Sequence, residues 1–149
     1  MRYGAGGYQG CASILLSEES LIAVCAPSLL KQGVAIEQMT LLQAYSPSSP
    51  RPASPVELWT TAHGIELRGK ISTFDRQSMA LIAASNGRGV AILPSRMASA
   101  AMARGELVSA DAREVADPLS YHLVWDPEHA ILEVIEALHA WLISALKRS

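Results

Sequence analysis

The chain has 149 residues, half of them hydrophobic, which is enough to bury one core and excludes intrinsic disorder. A single Phe and 5% aromatics, against abundant Ala, Leu and Ile, point to an α/β class with an aliphatic core and away from an aromatic-rich β-sandwich. The net charge of -2, with twelve scattered Lys and Arg, argues against a phosphate-gripping surface, and no apolar run reaches the ~20 residues of a bilayer span.

Arg2 and Tyr3 predict a short strand. Gly4 to Gly10 hold four glycines in seven positions and predict a loop, because so much glycine weakens any helix or strand. Ser13–Leu16 and Leu21–Ala26 are two apolar, β-compatible runs on either side of Ser17, Glu18, Glu19 and Ser20, which read as a polar turn or a crossing. Pro27 and Ser28 open a short helix that Gly33 closes, and Thr40–Gln43 is strand-like. Ser46–Pro55 carries four prolines and four serines and predicts an exposed loop. It ends at a helix start: Ser54 at the N-cap, Pro55 in the first position and Glu57 in the third complete a capping box, and Gly64 ends the helix.

Residues 69–93 carry strand, helix and strand signals at βαβ spacing. Lys70–Phe74 is the first strand, Asp75 an N-cap, and Met79, Ile82 and Ala83 an apolar stripe on the helix. Gly87 suits its left-handed end, and Val90–Leu93 is the second strand. The pattern repeats with Pro94 as breaker, Ser95 as cap, Met97–Arg104 as helix, Gly105 as its end and Leu107-Val108 extended. Such alternation predicts a mostly parallel sheet flanked by helices. Tyr121–Trp125 is a further strand. Asp126 as cap, Pro127 and Glu128 then open a long helix that Lys147 and Arg148 close against its dipole. Ile131, Ile135, Leu138, Trp141, Leu142 and Ala145 line one face of it, which requires an apolar partner.

Gly4, Gly6, Gly7 and Gly10 invite a phosphate-loop reading, but a dinucleotide fingerprint needs glycine at its sixth place, where Gln9 stands, and a helix where a strand-like run follows. His63, His122, His129 and His139 include no pair at ligand spacing, Cys11 and Cys25 lack metal spacing, and HExxH and GxSxG are absent. No metal, cofactor or catalysis is expected, and the cysteines read as reduced thiols of a cytosolic protein. Ser72, Thr73, Phe74 and Asp75 lie at the C-terminal end of a predicted parallel strand entering a helix, where open α/β sheets place ligands. Amides and a helix dipole there suit an anionic group such as a carboxylate. Asp75 acting only as a helix cap fits the position equally.

Taken in order, RYGAGGYQG, ILLSEESLIAVCAPSLL, TLLQ, the Trp59 helix before Gly64, STFDRQSMALIAASNGRGVAILPS, GELV and YHLVWDPEHAILEVIEALHAWL resemble the effector-binding (substrate-binding) domain of LysR-type transcriptional regulators. The branch resembled contains the glycine-cleavage activator and β-lactamase regulators. The resemblance covers nearly the whole chain, and its most specific piece is the alanine-rich helix leading into GRGVAILP.

The resemblance implies a periplasmic-binding-protein-like architecture of two α/β lobes around an effector cleft. Residues 1–19 would end the first lobe and include a crossover strand, residues 20–118 would form the second regulatory lobe, and residues 119–149 would return to the first lobe with its C-terminal helix. Effector contacts are implied at Ser72, Thr73, Phe74 and Asp75, and at Arg2 and Tyr3. A full family member begins with a winged helix-turn-helix, a linker helix and most of the first lobe. The chain is therefore expected to be a truncated regulator whose Ile131–Leu142 stripe lacks its native sheet.

The implied function is sensing of a small, anionic effector and homo-oligomerisation in a cytoplasmic bacterial regulator, with DNA reached only through the missing helix-turn-helix. The alternatives are a truncated interaction fragment pairing with intact regulators, and a solute-binding-protein-like module. The latter needs an export signal that Met1-Arg2-Tyr3 does not supply.

Overall fold

The computed structural model describes residues 1–129 and 131–146. In chain order it places β1 (Arg2–Gly4), β2 (Ala12–Ser17), β3 (Ser20–Cys25), α1 (Pro27–Leu30), a 3₁₀ turn at Ile36–Gln38, β4 (Leu41–Ala44) and α2 (Pro55–His63). Next come β5 (Ile71–Phe74), α3 (Gln77–Ser85), β6 (Val90–Pro94), α4 (Ser95–Ala103), β7 (Val108–Ala116), β8 (Ser120–Trp125) and α5 (Leu132–Leu146). The chain divides into two compact units, Met1–Glu19 with Pro118–Ser149, and Ser20–Asp117.

Ser20–Asp117 is built on a five-stranded sheet of order β5-β4-β6-β3-β7. The parallel sheet expected from the βαβ signals is its β5-β4-β6 part; β3 runs antiparallel to both β6 and β7, so the sheet is mixed. Side chains alternate between faces along each strand. Leu21, Ala23, Cys25, Leu41, Val90 and Ile92 therefore join Val56 and Trp59 of α2 in one core. Val24, Leu42, Ala91 and Leu93 meet Ala80 and Ala84 of α3 and Ala98 and Ala101 of α4 in another. Burial on both faces explains why these strands read as apolar runs, interrupted in β4 only by Gln43. Close approach at the strand entries needs glycine: a Cβ at Gly89 would overlap the Thr40 carbonyl, and one at Gly69 the Met39 carbonyl.

Trp59, fully buried, donates its indole N–H to the Arg113 carbonyl at 3.2 Å and so ties α2 to β7. The Arg113 guanidinium lies 5.7 Å from the Trp59 ring centroid and donates to both Asp111 carboxylate oxygens. Those hydrogen bonds hold the Asp111 carboxyl below its ordinary range, against the opposing effect of partial burial.

Met1–Glu19 with Pro118–Ser149 contains a three-stranded antiparallel sheet of order β1-β8-β2. β2 and β3 belong to different sheets, so the segment between them is a passage and not a hairpin turn. His139 of α5 donates from Nε2 to the Leu15 carbonyl at 3.2 Å. No residue of α5 is buried, and Leu132, Val134, Leu138 and Trp141 are exposed. Both clusters of buried hydrophobics among the described residues belong to Ser20–Asp117.

Four local expectations are corrected. Asp75 is not the cap of α3: the chain bends through Asp75 and Arg76, Arg76 takes the N-cap, and no side chain closes it. Ser95 is the first residue of α4, while Pro94 still belongs to β6, opposite Leu21. The final helix starts at Leu132 and not at Pro127, because the Asp126 carboxylate is used in a local turn, accepting from Glu128 N and His129 Nδ1. Met79 and Ile82 face outward, and α3 buries Ala80 and Ala84 instead. A helix without charged residues has no periodic signal to select a face, and small Ala side chains let it lie close to the sheet. The closing role of Lys147 and Arg148 lies outside the described residues.

The capping box forms as expected: Ser54 Oγ accepts from Glu57 N at 3.3 Å, and the Glu57 carboxylate accepts from Ser54 N at 2.9 Å. Ser54→Ala is expected to lower stability by about 1 kcal/mol. A lower urea midpoint at unchanged slope is the readout, and an unchanged midpoint would show the cap to be silent. Cys25 is fully buried, and burial pushes its thiol up, whereas Cys11 is half-buried. Since the thiolate is the reactive species, a disulfide reagent should modify only Cys11 in the native protein and Cys25 only after unfolding. Equal rates at both would contradict the packing of β3.

Candidate functional site

The parallel strands β5, β4 and β6 run together toward one edge, at which Phe74, Ala44 and Pro94 are their last residues. β5 is one of the two edge strands, so the predicted Ser72–Asp75 corner lies at both the end and the border of the sheet. Ser72 and Phe74 are half-buried, Phe74 against the α3 and α4 core, while Thr73 and Asp75 are exposed. Thr73 is paired with Gln43 and Phe74 with Ala44 in register.

Gln43 organises this corner. Its carboxamide is buried, and it accepts from Val56 N at 3.0 Å and donates to Thr73 Oγ1 at 3.2 Å. A buried amide left unbonded would cost about 1–3 kcal/mol, so both bonds constrain their partners: the first turn of α2 and the side chain of Thr73. Tyr45 N donates to the Phe74 carbonyl at 3.2 Å, so the chain leaving β4 starts beside the corner. α3 and α4 begin near the ends of β5 and β6 with no side-chain cap on either, which brings two positive dipole ends to this edge.

The loop that follows Tyr45 is not wholly exposed as the sequence predicted. Arg51 is buried and donates from Nε and Nη2 to the two carboxylate oxygens of Asp117, at 3.1 and 2.7 Å. The side chains are 5% and 0% exposed.

Arg2 and Tyr3 lie in the other unit, among aromatic neighbours. Tyr3 stacks on Tyr121 with ring centroids 4.8 Å apart, and the Arg2 guanidinium lies 5.2 Å from the Tyr8 ring centroid. Tyr8 meets His122 edge-on at 5.9 Å, and His122 Nδ1 donates to the Ser120 carbonyl. Gly4 makes room for this packing, because a Cβ there would stand 2.7 Å from the Tyr8 hydroxyl. The six predicted residues thus fall into two groups, one in each unit. Gln43, Arg51, Asp117, Tyr8 and His122 were not anticipated. Of these only Gln43 carried a signal, as a lone polar residue inside the apolar run Leu41–Ala44.

Among the described residues, no group of three or more His, Cys, Asp and Glu side chains is placed to hold a metal ion, and no helix is long and apolar enough to cross a membrane.

Comparison with known proteins matches residues 2–147 to the LysR substrate binding domain. The HTH-type transcriptional activator AmpR of Rhodobacter capsulatus is 30% identical over 146 residues, 95% of this chain and 48% of that protein. The effector domain of the transcriptional regulator AmpR of Pseudomonas aeruginosa superposes with a TM-score of 0.76 at 27% identity, covering 97% of this chain and 69% of that one. The AmpR effector binding domain from Citrobacter freundii shares the fold, with a TM-score of 0.77 at 23% identity over 99% of this chain and 74% of that one. The chain spans about half the length of the curated relatives it matches. With nearly all of its residues matched, and a mixed sheet flanked by helices that superposes on solved effector domains, the chain belongs to the LysR substrate binding domain family.

Proposed function

We propose that the chain is the small-molecule effector-sensing region of a LysR-type bacterial transcriptional regulator, acting in the cytoplasm and catalysing no reaction. In this reading Ser72, Thr73, Phe74 and Asp75 receive the effector, with Arg2 and Tyr3 as further contacts. Residues 20–118 then form the second regulatory lobe, and residues 1–19 and 119–149 belong to the first lobe and its crossovers. DNA contact in such a regulator falls to a helix-turn-helix outside these residues. The activator names of the relatives support the regulatory role.

The observation that carries the reading is the Gln43 bridge, which presents the Thr73 hydroxyl at a sheet edge where two helices begin without side-chain caps. Amides and dipole ends favour an anionic group such as a carboxylate. Asp75 repels an anion and suits a hydroxyl or amine of the same ligand. Sensing requires the ligand to bind one conformation of the protein better than another.

Titrating isotope-labelled protein with mono- and dicarboxylates and amino acids should move the amides of Thr73–Ser78 and Ser95–Met97. Thr73→Val should weaken the binding found about tenfold, or ~1.4 kcal/mol. A ligand whose shifts avoid both strand ends would overturn the reading.

We further propose that the protein is a homo-oligomer. Supporting this, Ile71, Met79 and Ile82 are between 47% and 52% exposed, α3 carries no charged residue, and α5 exposes Val134, Leu138 and Trp141. Exposed apolar groups of this kind mark association surfaces. The same surfaces fit the alternative reading, pairing with an intact regulator. Sedimentation equilibrium should show concentration-dependent association, weakened in a Met79→Glu, Ile82→Glu, Trp141→Glu variant. A wild-type protein monomeric at all concentrations would refute self-association.

A further inference from the structure

The segment from Tyr45 to Val56 is held at three points. Its start hangs on the Phe74 carbonyl through Tyr45 N, and its end on Gln43 and thereby on Thr73. Its middle is pinned by the Arg51–Asp117 pair. Pro47, Pro50, Pro52 and Pro55 stiffen the chain between those points, because each fixes φ and removes a donor. A stiff segment anchored in this way passes on a displacement at one anchor instead of absorbing it.

Asp117 is the last residue of Ser20–Asp117, followed at once by Pro118, where the chain returns to the other unit. The ion pair is buried, and burying two charges costs several kcal/mol per ion, so well-packed apolar residues would stabilise the fold as well or better. What the pair supplies beyond stability is a fixed position, set by two parallel hydrogen bonds on a rigid guanidinium fork.

We propose that Arg51 and Asp117 are positioning residues that couple the Thr73–Phe74 corner to the chain crossing at Asp117–Pro118. The coupling rests on the effector reading only for its biological meaning; the physical link is testable without a ligand. Spatial intermediacy alone does not demonstrate coupling, so the test is a cycle of perturbations.

Thr73→Val removes the acceptor of the Gln43 amide at an exposed position. In the wild-type background it should raise hydrogen exchange at the Leu119, Ser120 and Tyr121 amides about tenfold, while the Ala91–Leu93 amides, which report global opening, stay unchanged. In an Arg51→Met, Asp117→Leu background, which replaces the pair by apolar side chains, Thr73→Val should no longer affect Leu119–Tyr121. Asp117→Asn is the second variant, for use if the apolar pair does not fold. By itself it should raise exchange at Leu119–Tyr121 without moving Ala91–Leu93. An effect of Thr73→Val that survives without the pair, that never appears in the wild type, or that is matched at Ala91–Leu93 would overturn the proposal. Absence of a bound effector would leave these outcomes untouched, so failure of the coupling and failure of the effector reading are separable.

Discussion

Burial of both faces of β3, β4 and β6, the central strands of the β5-β4-β6-β3-β7 sheet, is the constraint that organises Ser20–Asp117. Alternate side chains of β3, β4 and β6 enter the α2 core or the α3 and α4 core, which leaves these central strands little room for polar groups, while the edge strands β5 and β7 stay partly exposed. Polar chemistry is thereby driven to the strand ends, or into side chains whose hydrogen-bonding capacity is taken up by neighbours. Gln43 shows the second case and creates the first: being buried, it must bond Val56 and Thr73, and in doing so it sets the start of α2 and the hydroxyl at the sheet edge.

The other unit does not meet that constraint. Among the described residues its three strands and α5 hold no cluster of buried hydrophobics: Leu16, Leu119 and Leu123 are buried, whereas Ile14, Leu15, Val134 and Trp141 are exposed. The expected apolar stripe of the last helix exists, but none of it is fully buried: Ile131, Leu138 and Trp141 are exposed and Ile135, Leu142 and Ala145 half-buried. Apolar surface in that amount favours association, since its removal from water is the main favourable contribution to binding as it is to folding. The outward Met79 and Ile82 extend the same tendency to Ser20–Asp117.

Much of the fold was legible. Strands at Val90 and Tyr121, the capping box at Ser54 and Glu57, and the left-handed Gly64 all arise from signals spanning a few residues. Where local signals misled, a cap-forming residue was free to act elsewhere: Asp126 closed a turn of its own, and Asp75 lay in a two-residue bend that the helix needed before it could start. β7 was under-read because two register shifts in its pairing with β3 break the alternation that marks a strand. Of the candidate site, the Ser72–Asp75 corner came from its place between strand and helix, and Arg2 and Tyr3 only through the family resemblance. The Tyr8 and His122 neighbours of Arg2 had no sequence signal.

The class of the protein, the order of most of its elements and the strand-to-helix corner at Ser72–Asp75 were written in the amino-acid order, because strand alternation, helix periodicity and caps act between residues close in the chain. Packing alone decided that α3 turns Ala80 and Ala84 inward, that β3 runs antiparallel between β6 and β7, and that Gln43 joins Val56 to Thr73. Packing also brought Arg51 to Asp117, 66 positions away. Such choices depend on burial and on satisfying hydrogen bonds between distant residues, and those energies come into play only once the two faces of the sheet are covered.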